Sequence, residues 1–533
     1  MKIAAIDLGS NSIHMVIVEV TGSGGFRTIE REKEMVRLGA ATLSAGRLPA
    51  LAMKRGLETL LKYKRLLDTR RVDKVVAVAT SAVREALNGE DFLDRVGRAT
   101  GIWPKAISGE EEGRLIYLAA LHSIHLEGRR ALVVDIGGGS VELALGAGSR
   151  VEWTVSEKLG VLRMSERYST SDPLSAKDEQ RLVRHVEQTL EPHAARVREA
   201  GFELAVGTSG TILALGALAH ALEDGTAHET LHHVTVRAAS VHDVRRRLVA
   251  MDLRDRQRLP GFDAARADIV VAGAVILDTV LQRLGVEEIT LCEWALREGI
   301  LLDYIHGHPR SLARAEAYPD VRRRSVVHLA ERCAYDERHA RHVAGLALSL
   351  FDATRPRHRL GEDERALLEY AALLHDIGHH ISYPRHHKHT YYLIKNGDLR
   401  GFRPLEVEVL ANVARYHRRG RPRKKHPAFA ALPPEARRTV RTLAAFLRIA
   451  DALDRSHRQV IDAVAVSARR GVLRLVCRAK GDCQLETWGA QRRRDLLQDT
   501  LGLEVRVTAT GAKVARDASA RGARVLRLKV ARP

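Results

Sequence analysis

The sequence predicts an α/β protein in which one strand-loop-strand unit occurs twice, followed by a histidine-rich helical region and a small α/β segment. Three observations carry this. First, Asp7-Leu8-Gly9-Ser10-Asn11-Ser12 and Asp135-Ile136-Gly137-Gly138-Gly139-Ser140 match in Asp, apolar, Gly and Ser, each between apolar strand-like runs. Second, residues 328–426 contain twelve of the chain's 25 histidines, among segments whose apolar residues recur at helical spacing. Third, from about residue 458 onward apolar residues alternate as in half-buried strands. A length of 533 residues allows three or four domains of about 100–200 residues each. The divisions fall at 1–125, 126–308, 315–457 and 458–533.

In chain order, Lys2 to Ile6 reads as a buried strand, LGSNS as a tight polar turn and Ile13 to Val20 as a second strand. The same grammar returns in Ala131 to Ile136, GGGS and Val141 to Leu145. Each loop turns consecutive backbone N–H groups towards a concavity that suits phosphate oxygens, and glycine permits the close approach. An acidic residue at the strand end suits a divalent cation. A third loop, Gly207-Thr208-Ser209-Gly210-Thr211, opens the apolar helix ILALGALAHAL, and unpaired N–H groups at a helix start attract anions.

Two helix starts lie between the hairpins. Arg84 falls in the first turn after the strand KVVAVA, where the helix dipole disfavours a cation. A bound phosphate would remove that penalty, and a pair with Glu85 is the alternative. Ser108 and Glu111 have capping-box spacing, so Glu111 is expected to reach back to the Ser108 N–H. Glu112 has no such structural task.

The 86 Lys and Arg against 66 Asp and Glu give a net charge of +20 and imply a polyanionic partner. Aromatic residues make up only 4% of the chain, too few for the stacking platforms of single-stranded nucleic acid binding. The four cysteines show no C-x-x-C spacing, Asp7 interrupts any signal-peptide apolar region, and no run reaches about 18 apolar residues. A cytoplasmic protein without a membrane span is the expectation.

In the second half, helices are predicted at 325–351, 362–379, 404–416 and 434–453. His339, His375-Asp376 and Asp451 resemble the HD phosphohydrolase superfamily, in which such residues meet on a helical bundle around a divalent metal. His389 and His417 are candidate additional ligands. In the last segment VIDAVAVSA, VLRLVCRA and VLRLKVA are predicted strands around a helix at RRRDLLQDTLG, with packing or dimerisation as the expected work and Arg492 to Arg494 adding to the basic surface.

Taken in order, DLGSNSIHMVI, TSAVREALN, ISGEEEGRLIY, DIGGGSVEL and GTSGT resemble the exopolyphosphatase/guanosine pentaphosphate phosphatase (Ppx/GppA) family of the sugar kinase/Hsp70/actin superfamily. The resemblance covers about residues 1–305, and the second half corresponds to its long form with an HD-like domain. It implies two actin-like (ribonuclease H-like) domains facing across a cleft. By this resemblance Glu112 is the general base for the attacking water, Arg84 binds phosphate, Asp135 and Glu142 bind Mg²⁺, and Asn11, Ser12, Gly137, Gly138, Gly139 and Ser140 are phosphate-loop residues. Gly207, Thr208 and Ser209 are added from the third loop. Gly113 departs from the alanine common in the family.

The resulting expectation is a homodimeric exopolyphosphatase that removes terminal phosphate from inorganic polyphosphate with Mg²⁺, guanosine pentaphosphate being the alternative substrate. The long basic second half favours polyphosphate. An actin-like kinase or ATPase would need an adenosine pocket and an aspartate base. A polyanion-binding scaffold leaves the duplicated loops unexplained, and a nucleotide phosphohydrolase in the HD-like region would use the possible second metal site of His339, His375, Asp376 and Asp451.

Overall fold

The computed structural model describes residues 1–20, 26–40, 42–124, 126, 128–224, 230–260, 262–306, 320–397, 399–418 and 420–510. They form two compact units, Met1–Val321 and Arg322–Pro533.

The first unit contains two sheets. One has β1 (Lys2–Leu8), β2 (Ile13–Val20), β3 (Phe26–Glu34), β4 (Lys74–Ala79) and β5 (Lys105–Ala106) in the order β3-β2-β1-β4-β5. The other has β6 (Arg130–Ile136), β7 (Val141–Ala147), β8 (Arg150–Glu157), β9 (Leu204–Thr208), β10 (Thr235–Arg237) and β11 (Glu288–Leu291) in the order β10-β11-β9-β6-β7-β8. In each, an antiparallel three-strand meander meets parallel strands on the far side of its first strand. The duplication read from two loops therefore extends to five strands of each sheet, β10 being an antiparallel addition to the second, and the unit is a pair of actin-like α/β domains. β1 and β6 are nearly continuous apolar runs because helices cover both faces of a mixed sheet's central strands.

The helices Gly109–Ser123 and Leu296–His306 pack on one another in a core that also takes Ile3 and Ala5 from the first sheet and Val133, Ala144 and Val206 from the second. The last helix of the unit thus returns to the first domain. Its burial fixes the Gly109–Ser123 helix, whose first turn carries Glu112, between the sheets.

The second unit begins with helices Val321–Arg332, Glu337–His358, Glu362–Leu374, His386–Lys395, Pro404–Arg415 and Pro434–Ala452. The predicted 325–351 helix is two helices: Ala334 adopts a left-handed φ of 50°, and Asp336 restarts the helix by accepting from the His339 N–H at 3.0 Å. The predicted 362–379 helix stops at Leu374 and tightens into a turn at Ile377–His380. The helix His386–Lys395 was not predicted, since its HHKHTYYLIK sequence lacks a clear apolar stripe.

Strands β12 (Ile461–Arg469), β13 (Val472–Ala479) and β14 (Glu504–Thr510) close the unit, β14 running parallel to β13. The predicted VLRLKVA strand lies outside the described residues; EVRVTAT supplies the third strand instead. Phe351 and Phe446 of the bundle share one continuous core with Leu475 and Leu497 of the strand-helix segment.

Candidate active site

The two glycine loops are built alike. Gly9 N donates to Ser12 O at 3.1 Å and Gly137 N donates to Ser140 O at 2.9 Å, closing the same turn twice. Each loop is then braced by later chain: Gly39 N donates to Ser10 O, and Leu162 N to Gly138 O. The loops also meet one another. A Cβ on Gly139 would stand 2.4 Å from Ser81 Oγ and 2.8 Å from Ser10 Oγ, so only glycine fits there.

Between them lies a cavity of about 380 Å³ lined by Asp7, Asn11, Ser12, Glu112, Asp135, Gly137 to Ser140 and Ser209. Ser209 sits at the strand-to-helix corner with a φ of 85°, a left-handed conformation that costs a non-glycine residue energy and turns it into the cavity.

Cross-strand register places the carboxylates. Asp7 pairs with His14 across β1 and β2, and Asp135 with Glu142 across β6 and β7. Glu142 is buried and accepts from Ser156 Oγ at 2.7 Å. Burial, with Glu142 and Asp7 nearby, pushes the Asp135 carboxyl well above its usual range, and burial likewise raises Glu142. Asp7 is pushed up to about 7 by burial, against the pull of Arg297 and with the push of Glu298 and Glu142. Its Oδ1 is buried with no hydrogen-bond partner.

Glu112 joins this group. It is buried, and burial and the Glu142 charge push its carboxyl up while Arg84 pulls it down. Arg84 Nη1 donates to Glu112 Oε2 at 3.0 Å and to Ile107 O at 2.9 Å. Glu85 is engaged elsewhere, by Ser81, Lys158 and Arg163. Ser108 caps the helix by accepting from Glu111 N, but the reciprocal half of the predicted capping box is absent: the Glu111 carboxylate takes a two-pronged pair with Arg114, which also reaches Asp303.

Three buried carboxylates and the half-buried Asp7, with an orphaned oxygen among them, are a poor arrangement unless a cation joins them. Among the described residues no three of their oxygens converge within 4.8 Å. This fits a hard divalent ion held by one or two carboxylates, with water and phosphate oxygens completing its shell.

Four of the expected residues do not line the cavity: Arg84 stands behind Glu112, Glu142 stands opposite Asp135 in the sheet, and two others stand farther apart. Gly207 lies at the end of β9 against Ile212 and Ile289, and the buried Thr208 hydroxyl donates to Trp294 O at 2.7 Å, so both serve packing. Sequence reasoning missed Arg266, Arg297 and His14, which line the cavity. The Arg266 guanidinium lies over Gly210, where a Cβ would stand 2.3 Å from it. Arg297 donates to His14 Nδ1 at 2.9 Å, and burial and Arg297 push His14 down to about 2. With Nδ1 accepting, the proton is on Nε2 and points at Ser12 Oγ, 2.6 Å away. The Ser12 hydroxyl hydrogen is then free to donate into the cavity. The position of Asp7, matching Asp135, was the signal available for one further site residue.

In the second unit, His339, His375, Asp376 and Asp451 are brought together, with His417 beside them. His386 takes the place expected of His389.

The Ppx/GppA phosphatase family matches residues 16–308, and Ppx/GppA phosphatase domain III matches residues 321–486. The chain belongs to the Ppx/GppA phosphatase family. It is similar to a crystal structure of an exopolyphosphatase from Cytophaga hutchinsonii, with 29% identity over 58% of this chain and 99% of that one and a TM-score of 0.55. A family member from Aquifex aeolicus shows 29% identity over 58% of this chain and 98% of its own, with a TM-score of 0.50. An exopolyphosphatase-like protein shows 28% identity over 57% and 97%, with a TM-score of 0.54. The chain is thus a phosphoric anhydride hydrolase by family. No helix among the described residues is long and apolar enough to cross a membrane.

Proposed function

We propose that this phosphatase is an exopolyphosphatase that releases the terminal orthophosphate of inorganic polyphosphate, acting as a cytoplasmic homodimer. The observation that carries the reading is Glu112, buried beside three other carboxylates, held by Arg84 and facing a cavity walled by two phosphate-sized glycine loops.

The loop N–H groups of Asn11, Ser12 and Gly137 to Ser140 receive the oxygens of the terminal phosphoryl group. Ser12 adds a hydroxyl donor whose direction His14 sets. Arg266 and Arg297 add positive charge along the cavity wall. Asp135 and Glu142 would hold Mg²⁺, with the Asp7 charge nearby, and the ion would neutralise phosphate oxygens and the leaving oxyanion when bound.

Glu112 takes the proton of a water as its oxygen bonds to phosphorus and the bridging P–O bond breaks, the electron pair leaving on the shortened chain. A base must be ionised to act. Arg84 favours ionisation of Glu112, and neutralising Glu142 removes the largest opposing charge. Residues 310–533, on the +20 chain, provide the basic track that a long anion needs.

Phosphate release by the full chain with Mg²⁺ is measured in parallel on long polyphosphate, guanosine pentaphosphate and ATP. Polyphosphate is expected to have the highest kcat/KM. Guanosine pentaphosphate as the best substrate would move the assignment to the nucleotide, and ATP as the best would refute the reading.

A further inference from the structure

The two glycine loops of the first unit are held from behind by related segments. A trans peptide points its carbonyl and its N–H in opposite directions, so a loop whose carbonyls are taken from behind presents the following N–H groups to the cavity. In the first loop Gly39 N donates to Ser10 O at 2.7 Å and Arg37 N to Asn11 O at 2.8 Å, which orients the N–H groups of Asn11 and Ser12. In the second, Val161 N donates to Gly137 O at 3.0 Å and Leu162 N to Gly138 O at 2.9 Å, from the start of the helix Val161–Tyr168. The next carbonyl, Gly139 O, accepts from a side chain instead, Arg163 Nε at 3.1 Å, and its peptide carries the N–H of Ser140.

Each bracing segment also sends a guanidinium to the other actin-like domain. Arg163, in the second domain, places Nη2 3.0 and 2.9 Å from the two Glu85 oxygens, and Glu85 follows Arg84 on the short helix Ser81–Glu85 of the first. Burial pushes the Glu85 carboxyl up, but Ser81, Lys158 and Arg163 outweigh it and hold it below its usual range, so the pair stays charged. Arg37, in the first domain, places Nη1 2.7 Å from Asp268 Oδ2 and Nη2 3.1 Å from Ala265 O in the second, on either side of the cavity residue Arg266. Arg37 holds a left-handed φ of 57°, a conformation that persists only where the surroundings fix it, here through Asn11 O and Asp268. In both directions, then, a residue bonded to one domain's phosphate loop grips the segment that bears an arginine of the other.

We propose that Arg163 and Arg37 are reciprocal positioning residues for phosphate release: Arg163 ties the second loop to the Arg84 helix and Arg37 ties the first loop to the Arg266 segment, so that loop N–H groups and arginines close on the terminal phosphoryl group in one register. The proposal rests on the cleft being the site of phosphate release. A guanidinium suits the task because its rigid fork meets a carbonyl through Nε and a carboxylate through Nη2 at once, a geometry that an ammonium on a flexible stem does not fix. Misplacing a reacting group by about 1 Å costs about 10²-fold in rate, so these ties act on kcat more than on KM. The Arg163–Glu85 side chains are 16% and 23% exposed and those of Arg37 and Asp268 34% and 41%, so solvent screens the first pair less and it carries the larger share.

Phosphate release from tripolyphosphate by the full chain with Mg²⁺ is measured for each variant, with thermal melting alongside. Arg163→Gln is expected to lower kcat about 10- to 100-fold with KM changed less than about threefold, and Arg163→Lys to recover part of the loss. Glu85→Gln should lower kcat about tenfold, and the pair Glu85→Gln/Arg163→Gln no further than Arg163→Gln alone, since both break one connection. Arg37→Gln should cost about fivefold, as for a partly exposed pair. Lys158→Gln removes another cation, 3.0 Å from Glu85, that touches neither loop, and should leave turnover native. Native kcat in Arg163→Gln or Glu85→Gln, multiplied losses in their pair, or an equal loss in Lys158→Gln would overturn the role of Arg163, and native kcat in Arg37→Gln would overturn the reciprocal one. Should Arg163→Gln fail to fold, Arg163→Lys and Glu85→Gln carry the same test. Glu112→Gln separates the two levels: inactive beside a native Arg163→Gln, it leaves the cleft reading standing and removes the positioning role, whereas turnover retained in Glu112→Gln overturns both.

Discussion

Asp7→Asn tests whether the crowded carboxylates of the first unit's cleft cost the folded protein stability when they ionise. Asp7 is pushed from 3.8 to about 7, so between those values the folded protein binds a proton that the unfolded chain releases. A raised carboxyl contributes stability at low pH and loses it as pH rises through the folded value. The shift of about three units corresponds to about 4 kcal/mol at 1.36 kcal/mol per unit. The groups that set it are the buried surroundings, Glu298 and Glu142, opposed by Arg297. An unpaired asparagine amide would take back about 1 kcal/mol.

In chelator at pH 8, Asp7→Asn is therefore expected to stabilise the first unit by about 3 kcal/mol, and at pH 4, where little of the electrostatic gain is left, to lower its stability by up to about 1 kcal/mol. Urea unfolding across this pH range, followed by a signal assigned to the first unit, measures the difference. Saturating Mg²⁺ should shrink or reverse the gain, because the ion binds the folded native chain more tightly than the variant. Equal stability of the two proteins at pH 8 in chelator, or the same pH slope for both, would refute the electrostatic argument.

Glu112→Gln is expected to lower kcat about 10²–10⁴-fold while polyphosphate still binds, as loss of a general base requires; retained turnover in a phosphate-release assay would sink that role. Glu111→Gln should leave turnover intact and cost under about 1 kcal/mol, since its pair with Arg114 is more than one-third exposed. His14→Gln is expected to raise KM about tenfold with a smaller change in kcat. Because His14 is pushed down to about 2, the native pH profile from 5 to 8 should contain no step that this variant removes. Polyphosphate affinity of the full chain should fall steeply between low and high salt, as for other polyanions neutralised by Lys and Arg; a flat dependence would remove the basic track.

The parts of the molecule that depend on short-range backbone demands were legible in the sequence. Asp7-x-Gly9 and Asp135-x-Gly137 announce a strand ending in a turn whose N–H groups face inward, and the structure closes both turns with the same hydrogen bond. Ser108 likewise announces a helix start, and Glu112 stands out because the cap leaves it without local work. Even so, a cap sequence did not decide where Glu111 would point. Arg114, one helical turn away and tied to Asp303, competes for the carboxylate more strongly than a lone N–H does.

Tertiary structure alone decided which distant residues share a charge environment. Arg266 and Arg297 sit in segments with no phosphate-like pattern, and they matter because helix packing brings them to loops more than 120 residues earlier in the chain. Thr208 belongs by its neighbours to the third loop, yet the strand runs on through Gly207 and Thr208 and turns the Thr208 hydroxyl to Trp294 O instead. His386 was hidden in a histidine-rich helix, indistinguishable by composition from His387 and His389. Only the fold shows which nitrogen stands 3.3 Å from Asp376. Local sequence specifies backbone shape through steric and hydrogen-bond limits on a few neighbouring residues, whereas desolvation and Coulomb interaction depend on everything that packing brings within several ångströms.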